Sequence, residues 1–230
     1  MRFLVLSDIH GDLEYLEQLN DEFADADAVL FGGDFSALGK PETALPVLNT
    51  LIKKHESVYA VIGNCDVPEF LKELEVLDVS VEGDVIFRDG LAFAGAGGGL
   101  KFTNDTPFER TDNEIIHDLN IVAEQEVEEG MDNDDWNNLI AIVHHPPKDT
   151  KLDLISAGIH VGSEKLRAFV EQHKPLALIS GHIHESFAID KIGPTVCINP
   201  GSLAQGKYAI LEVEKKDNKW EVTKAELKQL

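Results

Sequence analysis

Residues 2–12 read RFLVLSDIHGD, a short apolar run followed closely by an aspartate and a histidine. The run from Arg2 to Leu6 is rich in β-forming residues, which predicts a buried strand. Apolar residues then recur at helical spacing from Leu13 to Phe23, which predicts a helix after a short loop. Asp8 and His10 are therefore expected just after the first strand.

The same order of strand, loop and helix recurs along the chain. We predict further strands over 28–31, 58–62, 84–88, 91–96, 139–143 and 176–180, and helices over 41–54 and 163–173. Short apolar strands that alternate with amphipathic helices indicate a sheet covered on both faces, whereas the strands near the C-terminus indicate a second sheet. The predicted fold class is α/β, in the form of a layered α+β sandwich.

Length and composition fit one domain. With 230 residues, of which 43% are apolar, the chain can bury a sizeable core, so we assign 1–230 to a single domain. Between Thr111 and Pro147 there are ten acidic residues and no Lys or Arg, while apolar residues from Ile115 to Val127 keep a roughly helical spacing. This predicts an acidic helical insertion near 101–138 with a loop at 130–135. A solvated face is the expected role, and a docking face for a partner is the alternative.

The charge of the chain limits its partners. Its 42 acidic and 20 basic residues give a net charge of −22, which would repel a nucleic-acid backbone or an anionic membrane. A small phosphorylated substrate is the expected partner, because bound divalent cations can make one cleft positive on a negative protein. A homo-oligomer is also compatible with the sequence.

Location is predicted from three features of the chain. No apolar stretch reaches the roughly 18 residues that span a bilayer, and polar residues follow the first apolar run too soon for a signal peptide. The two cysteines, Cys65 and Cys197, form no CxxC pair and no disulfide framework. We therefore expect a cytoplasmic protein.

Five short motifs carry oxygen or imidazole donors. They are Asp8-Ile9-His10, Gly32-Gly33-Asp34, Gly63-Asn64-Cys65-Asp66, His144-His145-Pro146-Pro147 and Gly181-His182-Ile183-His184. Each is common by itself, and a single histidine is more often a satisfied polar residue than a ligand. Because the carboxyl ends of parallel strands meet at one edge of an α/β sheet, we expect the five loops to converge. Asp8 and His10 would project the same way if the strand continued through them.

The donor types point to metal chemistry. Two aspartates, one asparagine and four histidines form a mixed nitrogen and oxygen set that suits Mn, with Fe, Zn, Ni or Mg as further candidates. Seven ligands are too many for one tetrahedral site, whereas two cations that share a bridging carboxylate would use them all. The composition of the motifs therefore predicts a hydrolase with two metal ions.

In this order the five motifs resemble those of the calcineurin-like metallophosphoesterases, whose pattern is DxH, GD, GNH followed by an acid, H, and GHxH. The resemblance spans 8–184, is greatest for the small Icc-like members, and extends to Asn199-Pro200-Gly201-Ser202. It implies two packed mixed β-sheets flanked by helices, with the site at the sheet edges. It also implies that a hydroxide bridging the metals hydrolyses the phosphate ester. The implied ligands are Asp8, His10 and His184 for one metal and Asn64, His144 and His182 for the other, with Asp34 between them.

The main departure from this pattern is Cys65, which stands where many members have a histidine that helps to protonate the leaving group. A thiol is a poor substitute for that acid at neutral pH. Similar small members with GNCD are associated with phosphodiesters, so we expect a small phosphodiester as substrate. Asp34, Asn64 and His145 are the predicted catalytic residues, with His145 as the substitute acid.

Several of these roles have alternatives. Cys65 and Arg110 are the predicted substrate contacts, but Cys65 could equally fill space beside the metals, and Arg110 could be a solvated surface residue. His145 could serve only the structure of its loop, which two prolines stiffen. The glycine-rich run 95–99 could approach a phosphate, but it lacks the P-loop ending and a turn is expected.

Other functions also stay open. A phosphomonoesterase or protein phosphatase would use the same site but would need stronger recognition of a dianionic phosphate. A non-catalytic metal-binding scaffold is a different class of protein, and the acidic segment offers it a docking face. Such a scaffold would not need seven intact ligands.

Overall fold

Residues 1–129 and 136–230 are described by the computed structural model, and within them two mixed β-sheets pack face to face with helices on their outer faces. The strands are β1 (Arg2–Leu6), β2 (Ala28–Phe31), β3 (Val58–Ala60), β4 (Val85–Arg88), β5 (Leu91–Ala96), β6 (Gly99–Leu100), β7 (Glu109–Arg110), β8 (Leu139–Val143), β9 (Ala177–Ile179), β10 (Ala188–Ile192), β11 (Thr195–Asn199), β12 (Lys207–Lys216) and β13 (Lys219–Gln229). The helices are α1 (Glu14–Gln18), α2 (Asn20–Asp25), α3 (Ala44–Lys54), α4 (Leu71–Val76), α5 (Asp112–Asp118), α6 (Asn120–Glu129) and α7 (Glu164–His173). None of these helices combines the length and apolarity that a membrane crossing requires.

Each sheet has a parallel centre and antiparallel additions. The first sheet has the strand order β13-β12-β1-β2-β3, in which β1, β2 and β3 are parallel. The second has the order β10-β11-β9-β8-β5-β4, in which β11, β9, β8 and β5 are parallel. The loops that leave the parallel strands of both sheets therefore open toward one edge of the sandwich.

Alternate residues of the strands face different layers. In β1, Leu4 and Leu6 pack toward the helices α1 to α4, while Phe3 and Val5 pack into the layer between the two sheets. In that inner layer the ring of Phe93 stacks on Tyr59, with 3.9 Å between the ring centroids. A third buried layer joins the outer face of the second sheet to α5 and α7. Because a slip of one residue would exchange these faces, burial on both sides holds the register of the strands.

The fold class predicted from the sequence is confirmed, and so are the strand positions to within two residues at either end. Two helical predictions needed correction. The helix expected from Leu13 to Phe23 divides at Leu19 into α1 and α2, and the acidic helix divides at Leu119 into α5 and α6. In both cases the leucine is buried and ends one short helix before the next begins.

The acidic segment is fixed at its start. Thr111 caps α5 by accepting a hydrogen bond from the Glu114 backbone, while the Glu114 carboxylate accepts one from the Thr111 backbone. The predicted loop at 130–135 and the side chain of Val127 lie outside the described part of the chain. The assignment of 101–138 as an insertion in a single domain stays a prediction. The turn expected in the glycine-rich run occurs at Gly97 and Gly98, between β5 and β6.

Candidate metal centre

The loops after β1 and β9 bring three of the predicted ligands together. His184 Nε2 lies 3.0 Å from Asp8 Oδ1 and 3.1 Å from His10 Nε2. Asp8 is buried, whereas the side chain of His184 is 36% exposed. One carboxylate and two imidazoles therefore form a group that solvent and a small molecule can reach.

A second group forms where the loops after β3, β8 and β9 meet. Asn64 Oδ1 lies 2.8 Å from His144 Nε2 and 2.7 Å from His182 Nδ1. Asp34 lies between the two groups, since its Oδ2 atom is 3.8 Å from His10 Nε2 and 3.6 Å from His144 Nε2. All seven predicted ligands thus converge in the arrangement that the resemblance implies, and their role as metal ligands stays a prediction.

The backbone reaches this arrangement by tight turns and not by continued strands. Strand β1 ends at Leu6, and Asp8 and His10 both have left-handed backbones with φ of 54° and 49°. The expectation that they project alike from an extended strand was therefore wrong. Backbone hydrogen bonds from Ile9 and His10 to the Asp34 carbonyl, 3.1 and 3.0 Å long, hold the turn instead. Left-handed backbones at residues other than glycine cost about 1 kcal/mol each and persist only where surrounding contacts impose them.

Two glycines allow the loops to approach this closely. A Cβ atom at Gly63 would lie 2.0 Å from Asp34 Oδ1, and one at Gly181 would lie 2.4 Å from Asp8 Oδ2. Any side chain at either place would displace a predicted ligand. This explains why the motifs need glycine directly before Asn64 and His182.

The hydrogen bonds of the histidines indicate a site for cations. His144 Nδ1 lies 2.6 Å from the Gly32 carbonyl, so this nitrogen carries the proton and His144 Nε2 presents a lone pair to the carbonyl oxygen of Asn64. His10 is similar, because its Nδ1 donates to the Ser36 carbonyl and its Nε2 faces the predicted ligands. Acceptor atoms that face one another at hydrogen-bond distance repel unless a proton or a cation lies between them. The donor set therefore fits a divalent cation pair.

The charges of the groups show that the centre attracts positive charge, whether from a proton or from a cation. Burial acts to raise the pKa of Asp8, but the hydrogen bond from His184 and the nearby imidazoles hold it well below its ordinary value. Burial acts to lower the pKa of His144, yet the carboxylates of Asp34 and Asp8 raise it. The Asp8 carboxylate thus stays ionised, and together with Asp34 it attracts positive charge to the centre.

Asp66 and Asn199 hold the loops of the centre in place. The Asp66 carboxylate accepts hydrogen bonds from the backbone of Gly63, Phe35 and Ser36, 2.8, 3.1 and 2.7 Å long, which ties the Asp34 loop to the Asn64 loop. Asn199 Nδ2 donates to the carbonyls of the Gly181 loop. Both residues stand within the sequence motifs, but the motifs themselves indicate no role for them. Only the hydrogen bonds between distant loops reveal one.

Cys65 lies beside the predicted ligands and is largely buried. Its Sγ atom belongs to a cluster with His10 and Asp34 whose ligand atoms all lie within 4.8 Å of one another, and its backbone donates to Asp34 Oδ1 over 2.8 Å. Burial and the neighbouring Asp34 carboxylate raise the pKa of the thiol. A thiol that holds its proton this firmly is a poor acid for a leaving group, so the geometry favours the space-filling alternative.

His145 is turned away from acid chemistry. Its Nδ1 accepts from the Leu100 backbone over 3.3 Å, and its Nε2 donates to the Val161 carbonyl over 3.1 Å. Burial lowers the pKa of His145 to about 4, so the ring is neutral at neutral pH. With both nitrogens engaged by the backbone, the structure does not support the prediction that His145 supplies a proton, and the alternative of a structural role fits better.

Arg110 is also engaged within the protein. Its guanidinium forms two bonds of 2.6 and 3.0 Å to the Asp118 carboxylate and donates to the carbonyls of Gly97 and Glu114. The side chain is only 13% exposed. These bonds use the donors that a phosphate would need, so the geometry gives Arg110 a structural role in joining the glycine turn to α5. The predicted substrate contact is not supported.

Comparisons with known proteins agree with the fold and the motifs. A family model described as calcineurin-like phosphoesterase matches residues 1–186. An uncharacterised protein of Methanocaldococcus jannaschii is 32% identical over 206 residues, which is 87% of this chain and 88% of the relative. A dimetal phosphatase of Danio rerio shares the fold at 11% identity with a TM-score of 0.59, covering 100% of this chain and 98% of that one. A novel archaeal phosphodiesterase shares it at 18% identity with a TM-score of 0.51, covering 100% of both chains. The chain belongs to the calcineurin-like phosphoesterase family.

Proposed function

We propose that the protein is a two-metal phosphodiesterase that hydrolyses a small phosphodiester. Membership of the family implies a phosphoric ester hydrolase. The observation that carries the proposal is the Asp34 carboxylate, which lies between two groups of nitrogen and oxygen ligands that face one another. This is the arrangement that two cations with a shared carboxylate would need.

In this proposal each ligand has a defined part. Asp8, His10 and His184 would hold one ion and Asn64, His144 and His182 the other, with Asp34 available to both. Bound divalent cations would activate water and neutralise charge on the phosphoryl oxygens. Mn is the favoured metal, and Fe, Zn, Ni and Mg remain candidates because the ligand set does not separate them.

The residues of the chain prepare the site for this chemistry. The His144 Nδ1 proton is held on the Gly32 carbonyl, which keeps the Nε2 lone pair directed into the centre. Asp66 fixes the distance between the loops of Asp34 and Asn64. The ligands are therefore positioned before substrate binds, and little reorganisation is needed during the reaction.

The preference for a diester rests on charge and on Cys65. A monoester is a dianion near neutral pH, and its recognition calls for an imidazole or guanidinium where this chain has a buried thiol. The net charge of −22 also disfavours the more negative substrate and any long polyanion. The named structural neighbours comprise a phosphodiesterase and a phosphatase, so a direct assay must decide between the two substrate classes.

The test is elemental analysis of purified protein followed by paired assays with bis(p-nitrophenyl) phosphate and p-nitrophenyl phosphate under Mn, Ni, Zn and Mg. We expect metal-dependent turnover that is at least about 10-fold faster on the diester. Asp34→Ala and Asn64→Ala should each lower turnover by about 100-fold or more with folding retained. The exposed histidine variant His117→Gln, which lies on α5, is the matched control.

Three outcomes would contradict the proposal. Faster turnover of the monoester would favour a phosphomonoesterase or protein phosphatase. Unchanged turnover in both alanine variants would refute the site assignment. Bound metal without turnover of either ester would favour a scaffold. The cytoplasmic location, a homo-oligomer and a docking role of the acidic segment stay separate predictions.

A further inference from the structure

The loop between β8 and α7 carries a buried carboxylate that organises it. Asp153 is fully buried, and its carboxylate accepts hydrogen bonds from the backbone of Asp149, Thr150 and Gly162, 3.1, 2.8 and 2.9 Å long. These bonds join the two ends of the loop. These hydrogen bonds fix the position of the Asp153 carboxylate.

The same carboxylate orients His160. His160 Nδ1 donates to Asp153 Oδ1 over 2.8 Å, and the side chain of His160 is 36% exposed. Among residues 1–129 and 136–230, no hydrogen bond is formed by His160 Nε2. A histidine whose inner nitrogen is held by a buried carboxylate and whose outer nitrogen is open to solvent is the arrangement used by acid–base catalysts.

This loop lies beside the candidate metal centre and is joined to it at two places. The carbonyl of Val161, the residue after His160, accepts from His145 Nε2, and the His145 ring lies 4.9 Å from the ring of His182. At the other place, Ser156 donates to the Glu185 carboxylate, and Ser186 Oγ donates to the Leu154 carbonyl over 2.8 Å. The loop therefore runs along the rim of the centre, from the residue after His144 to the residues after His184.

Among the described residues of the centre, neither Cys65 nor His145 is placed to give the leaving group a proton. The Cys65 thiol is largely buried beside Asp34, and both nitrogens of His145 are engaged by the backbone. Hydrolysis of an ester with a poor leaving group requires a proton on the departing oxygen. A side chain that donates this proton contributes about 10²–10⁴-fold to the rate. An exposed imidazole at the rim could supply that proton.

We infer that His160 is the general acid of this site, with Asp153 as its positioning residue. The inference rests on the proposed function. Water attacks phosphorus and forms the new P–O bond, while the P–O bond to the leaving group breaks. The departing oxygen takes the proton from Nε2 of the charged imidazole, and the proton released by the attacking water returns the ring to its charged form through solvent. The expected substrates are diesters of poorly acidic alcohols, because only these need the proton.

The alternative is that the pair of Asp153 and His160 only stiffens the loop. Two substrates that differ only in leaving group separate these roles, namely ethyl p-nitrophenyl phosphate and ethyl phenyl phosphate with the metal-loaded protein. His160→Gln should lower kcat on the phenyl ester by about 100-fold and change it less than about 3-fold on the nitrophenyl ester, which leaves without a proton.

A second readout does not depend on turnover. The imidazole ¹⁵N resonances of His160 in the Zn-loaded protein should shift when ethyl phosphate, a product of both assays, is added. His160→Gln identifies these resonances by their loss, and His117→Gln is the control for an exposed histidine away from the loop. Equal loss of activity on both substrates, no loss on either, or unshifted resonances at saturating ethyl phosphate would overturn the inference. Failure of the unaltered protein on both esters would count against the proposed function, and the resonances would still test whether His160 faces the phosphate.

Discussion

Two carboxylate clusters in this protein show opposite ways of stabilising negative charge. Glu22 on α2 receives an ion pair from Arg2, a hydrogen bond of 3.0 Å from the Tyr208 hydroxyl and one of 2.7 Å from Lys228 Nζ. Burial acts to raise the pKa of Glu22, but Lys228 and Arg2 outweigh burial and lower this pKa to about 2. This cluster, which we call the Glu22 cluster, is completed by the chain alone.

The candidate metal centre is built in the opposite way. Around Asp34 lie His10 Nε2, His144 Nε2 and the Asp8 carboxylate, and acceptor atoms at this spacing repel one another unless a proton or a cation lies between them. The Glu22 cluster should therefore stabilise the fold with or without bound metal ions, whereas the candidate metal centre should do so only when metal ions are bound. Polar groups that lack a partner within the protein can bind ions or substrate, whereas the polar groups of the Glu22 cluster already have partners.

The largest effect is expected when the carboxylate charge is removed at Asp34, and removal of the same charge at Glu22 provides the comparison. Asp34→Asn keeps the shape of the side chain, so Asn Oδ1 can still accept from the Cys65 backbone, but it should lower turnover by about 100-fold or more and abolish bound metal. Its metal-free form should be as stable as the unaltered metal-free protein, because the repulsion between acceptors is relieved. Urea unfolding with and without chelator, combined with elemental analysis, measures both effects. Glu22→Gln should keep full turnover, and a loss of turnover there would break the comparison.

The next largest effect is expected from chelation of the unaltered protein. At metal concentrations about 100 times the dissociation constant, binding stabilises the folded state by about 2.7 kcal/mol. For a chain of this length that corresponds to a Tm lower by about 5–10 °C after chelation, measured by calorimetry. The Glu22→Gln variant should lose the same number of degrees on chelation as the unaltered protein. A Tm that does not change on chelation would show that ions do not complete the centre.

Substitution of Arg110 tests whether this residue contacts the substrate or stabilises the fold. Because its guanidinium bonds to Asp118 and to two backbone carbonyls, Arg110→Ala should destabilise the fold by about 2 kcal/mol with little change in KM. Urea unfolding and steady-state kinetics give the two quantities. Asp118→Asn is the matched variant, since it weakens the same ion pair from the other side. A raised KM with unchanged stability would restore the prediction that Arg110 contacts the substrate.

The smallest effect is expected at the Glu22 cluster itself. Glu22→Gln should lower the free energy of unfolding at pH 7 by about 1 kcal/mol, because the carboxylate is partly exposed and solvent screens its ion pairs. The pKa of Glu22 is lowered in the folded protein from its ordinary value of 4.5 to about 2. Its contribution is therefore complete above pH 4.5 and declines as the pH falls from there toward 2.

Chemical unfolding of the unaltered protein and of Glu22→Gln between pH 7 and pH 3 checks the direction of this pH dependence. The difference between the unaltered protein and Glu22→Gln should be smaller at pH 3 than at pH 7. High salt at pH 7 should reduce the difference as well, because the pairs with Arg2 and Lys228 are near the surface. A difference that grows on acidification would contradict the lowered pKa.

Much of the fold could be predicted from local patterns. The apolar runs at β1, β2, β8 and β9 predicted their strands because four or five consecutive apolar residues can be buried only between two layers. Local patterns did not predict the divisions at Leu19 and Leu119. Helical spacing continues across both residues, and the helices end there because of how the flanking elements pack.

The candidate site could likewise be predicted only in part from the sequence. The ligand types and their order were evident from the five motifs, and convergence followed from the rule for parallel strands. The contacts of His145, Arg110 and His160 were not predictable, since each depends on a partner that only the folded chain supplies, namely the Val161 carbonyl, Asp118 and Asp153. No spacing in the sequence distinguishes a histidine that bonds to the backbone from one that is open to solvent.

The sequence by itself determined the fold class, the family and the set of candidate metal ligands, because these depend on residue types in a given order. Tertiary structure decided which polar side chains are left unsatisfied and which are already bonded. That choice depends on distances of a few ångströms between loops far apart in the chain, as in the left-handed turn that brings Asp8 and His10 to Asp34. Contacts between loops impose such a turn against its local preference, so the residues within the turn cannot reveal it.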